Sequence, residues 1–497
     1  MIEAIDILLF AMVISGATVV VVGCVQYLLA SIHVLRRPYA RVSEVYPRVA
    51  IVIPAWNEGA VIGRTIDTLM AMQYPSDRLR VYVVDDGSTD ETPEIIAERS
   101  ERWQGAVVDL RREEGGQGKA AAINYGLTRI QEDDWYEAVM IIDSDVLLTP
   151  TALRRMSRHL ADQLVGGVTA YIKEGSRPAN YVNRFVGFEY ITAQAAARRA
   201  QNTIGAQACL AGGAQLIRRE ALERLGGELD TLTLAEDTVT TFRIQLAGYL
   251  VRFEGNAVVW AEEPDTITAL WKQRVRWARG NTQVTWRFRR VWLHPLRVGG
   301  LGGPTFASIW ASVVFMPVFM LAATTGLVVL FFTDRAMSIQ AFRFLWALTG
   351  CAFIFITCSS LLIDPETGRR CWREGLFFPG AINLTLIVVG LFGPIFTAQL
   401  GPQIDALGLR SGGTLATYLL LFADLWLTFS ILCAYLLKRL DESGHLRMLV
   451  QPLLYIVGYG PLLCAITVGG YIAELSGSEQ KWEKTEKVGR VEEQLTV

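Results

Sequence analysis

Two carboxylates one residue apart, Asp143 and Asp145, end the apolar run Val139-Met140-Ile141-Ile142. Carboxylate oxygens so placed can hold a hard divalent cation, and that cation can hold a diphosphate. An ordinary Asp-Ser-Asp turn after a strand is the plainer reading of the same residues. Three further polar stretches follow apolar runs in the same way: Pro54-Ala55-Trp56-Asn57-Glu58, Asp85-Asp86-Gly87-Ser88-Thr89-Asp90 and Gly115-Gly116-Gln117-Gly118-Lys119. The last is a glycine-rich loop opening onto a helix, where backbone N–H groups and a lysine suit a phosphate. Each could be a simple turn; four in succession at one sheet edge point to a ligand site. There is no G-x-G-x-x-G fingerprint and no Walker loop, which argues against a dinucleotide enzyme or an NTPase.

These stretches need a sheet to position them. Residues 49–54, 81–84, 106–110 and 139–142 read as short strands rich in β-branched residues. Residues 64–72, 92–99 and 119–130 read as the helices between them. Such alternation is the signature of βαβ units and a mostly parallel sheet, whose ligands lie outside the carboxyl ends of the strands.

The chain beyond Asp145 offers three more candidates. Cys209-Leu210-Ala211-Gly212-Gly213-Ala214 is a small-residue stretch where backbone could approach a ligand closely. Glu236 and Asp237 open a helix reaching Leu246 and closed by Gly248; acidic residues there are either capping groups or chemistry. Trp271-Lys272-Gln273-Arg274-Val275-Arg276-Trp277-Ala278-Arg279 packs cations and aromatics densely enough to pair with a diphosphate and stack on a sugar ring. It also reads as a juxtamembrane basic patch, since Arg287, Arg289, Arg290 and Arg297 follow. Residues 180–200 mix Phe185, Phe188 and Tyr190 with Arg184, Glu189, Arg198 and Arg199, as an interfacial or a packed surface helix would.

At 51% hydrophobic residues the 497-residue chain is more apolar than a soluble protein, so membrane segments are expected. Residues 7–32 form a run long enough to cross a bilayer, with Glu3 and Asp6 before it and Arg36 and Arg37 after it. Charge bias puts the N-terminus outside and residue 36 onward in the cytosol; with no positive charge ahead of the run, it reads as a retained anchor. Further runs lie at 306–332, 344–363, 376–398 and 414–437, and basic residues such as Arg369 and Lys438 fall on alternate loops. The run 448–473 is interrupted by Pro452 and Gly458-Tyr459-Gly460-Pro461, so it either spans once or turns back. A net charge of -2 gives no reason to expect nucleic acid. Seven scattered cysteines form no disulfide framework and no metal spacing.

As an ordered set, these motifs resemble the membrane-integrated family 2 glycosyltransferases that make β-linked polysaccharides, among them the cellulose, chitin, hyaluronan and poly-N-acetylglucosamine synthases. The resemblance covers residues 49–281 and includes Gln273-Arg274-Val275-Arg276-Trp277 as Q-x-x-R-W. It implies an α/β cytosolic GT-A domain, the nucleotide-diphosphosugar transferase fold, beside an all-α multi-span transmembrane region. The expected division is an anchor at 1–36, the transferase at 37–298, membrane helices at 299–475 and a tail at 476–497.

By position, Pro54, Trp56, Glu58, Asp85 and Asp86 resemble uridine-binding residues, with Lys119 near the phosphates. Asp143 and Asp145 resemble the D-x-D pair that takes Mg2+ or Mn2+, Asp145 as the direct ligand. Asp237 resembles the catalytic base, with Glu236 its neighbour. Gln273, Arg274 and Arg276 resemble diphosphate contacts, and Trp277 the platform under the acceptor sugar. Trp482-Glu483-Lys484-Thr485 resembles a W-x-K-T element that could close over the donor, which would need the tail inside. The resemblance implies a UDP-sugar donor, a growing polysaccharide acceptor and surrounding membrane lipids. UDP-N-acetylglucosamine is the expected donor ahead of UDP-glucose. A two-donor hyaluronan-type enzyme, a non-processive lipid glycosyltransferase and a transporter with an idle transferase domain are the rivals. Two departures stand out: Ala235 replaces the usual Thr before Glu-Asp, and no cyclic-nucleotide-sensing domain follows the spans.

Overall fold

A computed structural model describes residues 2–36, 38–41, 43–406, 413–478, 487 and 489–491. The chain divides into two compact units. One, built from residues 28–265, 280–307 and 479–497, is organised on a single mixed sheet.

The strands are β1 (Val49–Ala55), β2 (Leu79–Asp85), β3 (Val107–Arg111), β4 (Ala138–Ile142), β5 (Leu147–Leu148), β6 (Val165–Glu174), β7 (Ala214–Arg218) and β8 (Leu250–Ala261). Their order is β3-β2-β1-β4-β7-β6-β8-β5. The first four pair in parallel, as the helices between them require, whereas β7 runs antiparallel to β4 and β6. Every residue of β1, β2 and β4 except Pro54 and Arg80 is buried, which is why these strands read as continuous apolar runs rather than alternating ones. The expected strands and connecting helices are present, with ends shifted by a residue or a few; the first helix begins earlier, at Gly59.

Beyond β6, the stretch expected as an amphipathic helix is a continuous helical rod: Tyr181–Tyr190, a π segment Ile191–Ala196, then Ala197–Ile204. Asn180 caps it, accepting hydrogen bonds from the N–H groups of Val182 and Asn183 at 2.9 and 3.0 Å. It is a buried element instead of a surface one: Glu189 and Arg198 are under 10% exposed together with the phenylalanines. Arg198 is held by hydrogen bonds to Thr169 Oγ1 and the Ala170 carbonyl, both at 3.3 Å, so its charge faces the sheet and not a lipid surface.

The other unit, residues 1–27, 266–279 and 308–478, is helical. Among the described residues four helices are long and apolar enough to cross a membrane: Thr18–Arg36, Met316–Thr333, Arg335–Ile363 and Thr414–Ser443. The run 7–32 is therefore two helices, Ile2–Ser15 and Thr18–Arg36, and only the second has spanning length. Gly16, at the break, packs so tightly on Ala323 that no side chain fits there. The run 306–332 is likewise broken at Phe315, ahead of Pro317. The last run bends by 101° between Val457 and Tyr459. Gly458 makes the bend at φ +101°, and the N–H groups of Tyr459 and Gly460 are satisfied by the Phe378 carbonyl at 2.8 and 3.1 Å.

Candidate active site

The turns after β1 and β2 are knotted together. The Asp86 N–H donates to the Ala55 carbonyl at 2.8 Å and the Asn57 N–H to Ser88 Oγ at 2.9 Å. Thr89 N–H returns a bond to Asn57 Oδ1 at 2.8 Å, and the Glu58 N–H donates to Thr92 Oγ1 at 2.8 Å. Trp56, in the first of these turns, is 38% exposed. Asp85 is buried; it accepts from the Ser88 N–H at 2.9 Å and lies 3.5 Å from Arg111, so its carboxylate shapes the turn.

Asp86 forms an ion pair with Arg112 and accepts from the Gly116 N–H at 3.1 Å. One of the loop N–H groups expected to meet a phosphate is thus engaged by Asp86. Gly115 sits directly against the Asp86 carbonyl, leaving no room for a Cβ. Gly115→Ala is expected to destabilise the fold by about 1–3 kcal/mol, the usual range for forced overpacking. Thermal melting checks this; an unchanged melting temperature would contradict the packing described.

The opposite wall forms where β4 ends beside β7. Lys119, first residue of the helix Lys119–Asp133, ion-pairs with Asp143 and lies 4.0 Å from Glu236 Oε1. Burial works against its charge, but Asp143 and Glu236 outweigh that and hold the ammonium above the ordinary lysine range. Gly212 and Gly213 allow this convergence. A Cβ at Gly212 would stand 3.1 Å from Lys119 Nζ and 3.5 Å from Asp237 Oδ2, and one at Gly213 would stand 3.9 Å from Asp143 Oδ2. The backbone of this stretch is pinned residue by residue. The Leu210 N–H donates to Thr241 Oγ1 at 2.7 Å, Ala211 to Thr169 Oγ1 at 3.1 Å and Gly212 to Asp237 Oδ2 at 3.1 Å.

Asp237 lies in the first turn of the helix Glu236–Leu246. Its Oδ1 accepts from the Thr238 N–H at 2.6 Å, and its Oδ2 accepts the Cys209 thiol at 3.2 Å. Burial, then the neighbouring Asp237 charge, pushes the Cys209 thiol well above its usual range, so the sulfur keeps its proton and donates. Preceding Glu236, Ala235 packs against Gly280, where a Cβ would come within 2.7 Å. The small residue in place of Thr is thus matched by a tightly apposed glycine.

Asp145 is paired from the far end of the chain: Lys487 Nζ lies 2.7 Å from its Oδ2, with side chains only 15% and 11% exposed. Burial opposes this ammonium too, yet Asp145 and Glu263 hold it above the ordinary lysine range. Lys487 and Arg112 were absent from the sequence-derived site residues, and Cys209 entered only as part of a small-residue stretch; a lysine in a mixed-charge tail and a single thiol carry no local signal of their partners. Trp482 lies outside the described residues.

Gln273, Arg274, Arg276 and Trp277 lie on the helix Ile267–Arg287, in the part that packs within the helical unit. There Thr268 donates through its N–H and hydroxyl to Asp441 Oδ2 at 2.8 and 2.7 Å, and Arg279 pairs with Glu474 at 3.1 Å. The Arg274 guanidinium stacks 3.9 Å over the Trp277 ring, one helical turn away, while Trp277 stays 39% exposed.

The Asp143–Asp145 pair offers two hard oxygen donors, and among the described residues no cluster of three or more His, Cys, Asp or Glu could enclose a metal alone. This suits Mg2+ or Mn2+, which are bound through one or two carboxylates and completed by substrate phosphates. Each carboxylate already carries an ammonium, so the locus is built for positive charge.

The family described as "Glycosyltransferase like family 2" matches residues 47–280. The β-monoglucosyldiacylglycerol synthase of Synechocystis is 32% identical over 238 residues, 48% of this chain and 48% of its own length. The poly-β-1,6-N-acetyl-D-glucosamine synthase of Staphylococcus epidermidis is 29% identical over 240 residues, 48% of this chain and 56% of its own. The chain thus spans about half the length of the curated relatives it matches. A mannosyltransferase from Pyrobaculum calidifontis, solved with GDP-Man and Mn2+, superposes with a TM-score of 0.53 at 24% identity, covering 73% of this chain and 99% of that one. The sheet unit has that fold.

Proposed function

We propose that this chain, a family 2 glycosyltransferase over residues 47–280, polymerises a UDP-sugar into a β-linked polysaccharide by processive, inverting transfer at the cytosolic membrane face. The observation that carries the reading is the convergence of Lys119, Asp143, Glu236 and Asp237 at the carboxyl ends of the strands. A metal-type carboxylate and a base-type carboxylate there share one lysine neighbour.

In the proposed reaction the acceptor hydroxyl forms a bond to the donor's anomeric carbon as the bond to the UDP oxygen breaks. The hydroxyl proton passes to Asp237, whose carboxylate is held in place by Cys209, Gly212 and Thr238. UDP leaves with increased charge on its diphosphate, which Lys119 would neutralise. Mg2+ or Mn2+, held by Asp145 with Asp143, would add Lewis-acid stabilisation of that charge. Pro54, Trp56, Glu58 and Asp86 would hold the uridine, and Asp85 would keep their turn in shape. The four long apolar helices would pass the growing chain across the bilayer.

UDP-N-acetylglucosamine is the donor we favour, on the likeness to the staphylococcal synthase. The likeness to a glycolipid synthase supports a second reading, a single sugar transferred to a lipid. A donor screen on detergent-purified protein with Mg2+ or Mn2+ separates them. High-molecular-weight product from UDP-N-acetylglucosamine alone supports the proposal. A single sugar on lipid, a need for two donors, or silence with every donor would overturn it.

Cys209 gives a finer test. Cys209→Val removes the thiol donor at similar volume and is expected to lower turnover about fivefold, the worth of one hydrogen bond near 1 kcal/mol. Donor KM should not change, and Cys209→Ser should restore turnover. Equal losses in Val and Ser variants would mean that packing, not the donated bond, matters.

A further inference from the structure

The C-terminal residues Lys487 and Gly489–Val491 are clamped to the sheet unit beside the Asp-x-Asp pair. Val491 bridges Ser176 in antiparallel fashion, and the Arg177 N–H donates to the Arg490 carbonyl at 2.8 Å. Glu262 Oε2, just past the end of β8, accepts the N–H groups of Gly489 and Arg490 at 2.9 and 3.1 Å. The Val491 side chain, 4% exposed, packs on Leu147 and Trp260. Leu147 is two residues from Asp145, so the short strand that follows the aspartate also seats the segment that carries its lysine.

This arrangement has a physical reason. Asp143 and Asp145 place two like charges one residue apart, and the Asp145 carboxylate, only 11% exposed, would be strongly unfavourable without a partner. Lys119 neutralises Asp143, and Lys487 neutralises Asp145. The two lysines differ in tether: Lys119 belongs to a helix start, whereas Lys487 sits on a segment without regular secondary structure that is held by the Val491 bridge, the Glu262 carboxylate, the Arg490–Asp265 ion pair and a bond from the Lys487 ammonium itself to the Glu262 carbonyl.

Resting on the reading of Asp145 as a metal ligand, we propose that Lys487 is the resident cation of the donor site. Its ammonium occupies the place of the divalent ion and competes with it for Asp145. Free metal then binds weakly to the resting enzyme and gains its hold when a nucleotide diphosphate brings additional oxygen ligands.

The test is Mn2+ binding to the full-length protein in detergent without nucleotide, followed by calorimetry or by the spin signal of free Mn2+. Lys487→Met is expected to bind Mn2+ at least fivefold more tightly than wild type, Lys487→Arg to bind as weakly as wild type, and Asp145→Asn not to bind. Equal affinity in wild type and Lys487→Met, with Asp145→Asn still deficient, would overturn the competition while leaving the metal reading intact. Mn2+ binding unchanged in Asp145→Asn would overturn the metal reading and the competition with it. A second measurement uses the unaltered protein, so it does not depend on any variant folding. Acylation of the Lys487 amine, read by peptide mass spectrometry, should rise on adding Mn2+ with UDP; an unchanged rate would contradict the displacement.

Discussion

Asp237→Asn is expected to lower sugar transfer by about 10²–10⁴-fold, the range typical of losing a general base. An amide cannot take the acceptor proton, yet it keeps the side chain's size and the bond that anchors it to its own helix. Oδ1 would still accept from the Thr238 N–H, whereas the amide nitrogen in place of Oδ2 would no longer accept from the Cys209 thiol and the Gly212 N–H. UDP affinity should therefore stay within about twofold, since the loss of base chemistry does not involve ground-state binding of the nucleotide. Titration calorimetry with UDP beside a transfer assay checks both parts. Retained transfer would remove Asp237 from its role, and a joint loss of binding would show that the helix start had collapsed.

The second large effect belongs to Asp145. Asp145→Asn is expected to reduce transfer about 10²–10³-fold, the scale of removing a major charge-stabilising group. Chelation of divalent metal from the wild-type enzyme should give a comparable loss that Mn2+ restores, while the variant should not be restored at ordinary Mn2+ levels. Asp143→Asn should show a milder form of the same defect and should also free Lys119, which pairs with Asp143 and lies near Glu236. Wild-type activity in chelator would contradict the metal account outright.

Much of this site is legible in the chain because the motifs sit at the ends of fully buried strands. The apolar run 138–142, short, rich in β-branched residues and stopped by Asp143, reads as a strand delivering that residue to the carboxyl end of a sheet, and it is one. The glycine pair at 212–213 was equally readable as a point of close approach, though not what approached: Lys119 on one side and Asp237 on the other. The parts that were not legible depend on tertiary partners. Arg198 looks like one charge on the polar face of a helix, yet it is buried because Thr169 and the Ala170 carbonyl accept its hydrogen bonds. The break at Gly16 inside an apolar run has no hydropathy signal; it follows from how closely Ala323 packs there. Hydropathy likewise cannot show that residues 266–279 pack within the helical unit, where Asp441 and Glu474 receive Thr268 and Arg279. Lys487 meets Asp145 through tertiary contacts distant in sequence, among them the seating of Val491 on Leu147 and Trp260 and the hold of Glu262 on Gly489 and Arg490.

The measurement that tests the central claim most directly is product length early in the reaction. Purified protein in nanodiscs would be given UDP-N-acetylglucosamine and Mn2+, and products would be sized when only a small fraction of the donor is consumed. A processive synthase yields long chains at that stage, with few short intermediates. Single-sugar products on lipid, or short oligomers that lengthen together as donor is used, would contradict it.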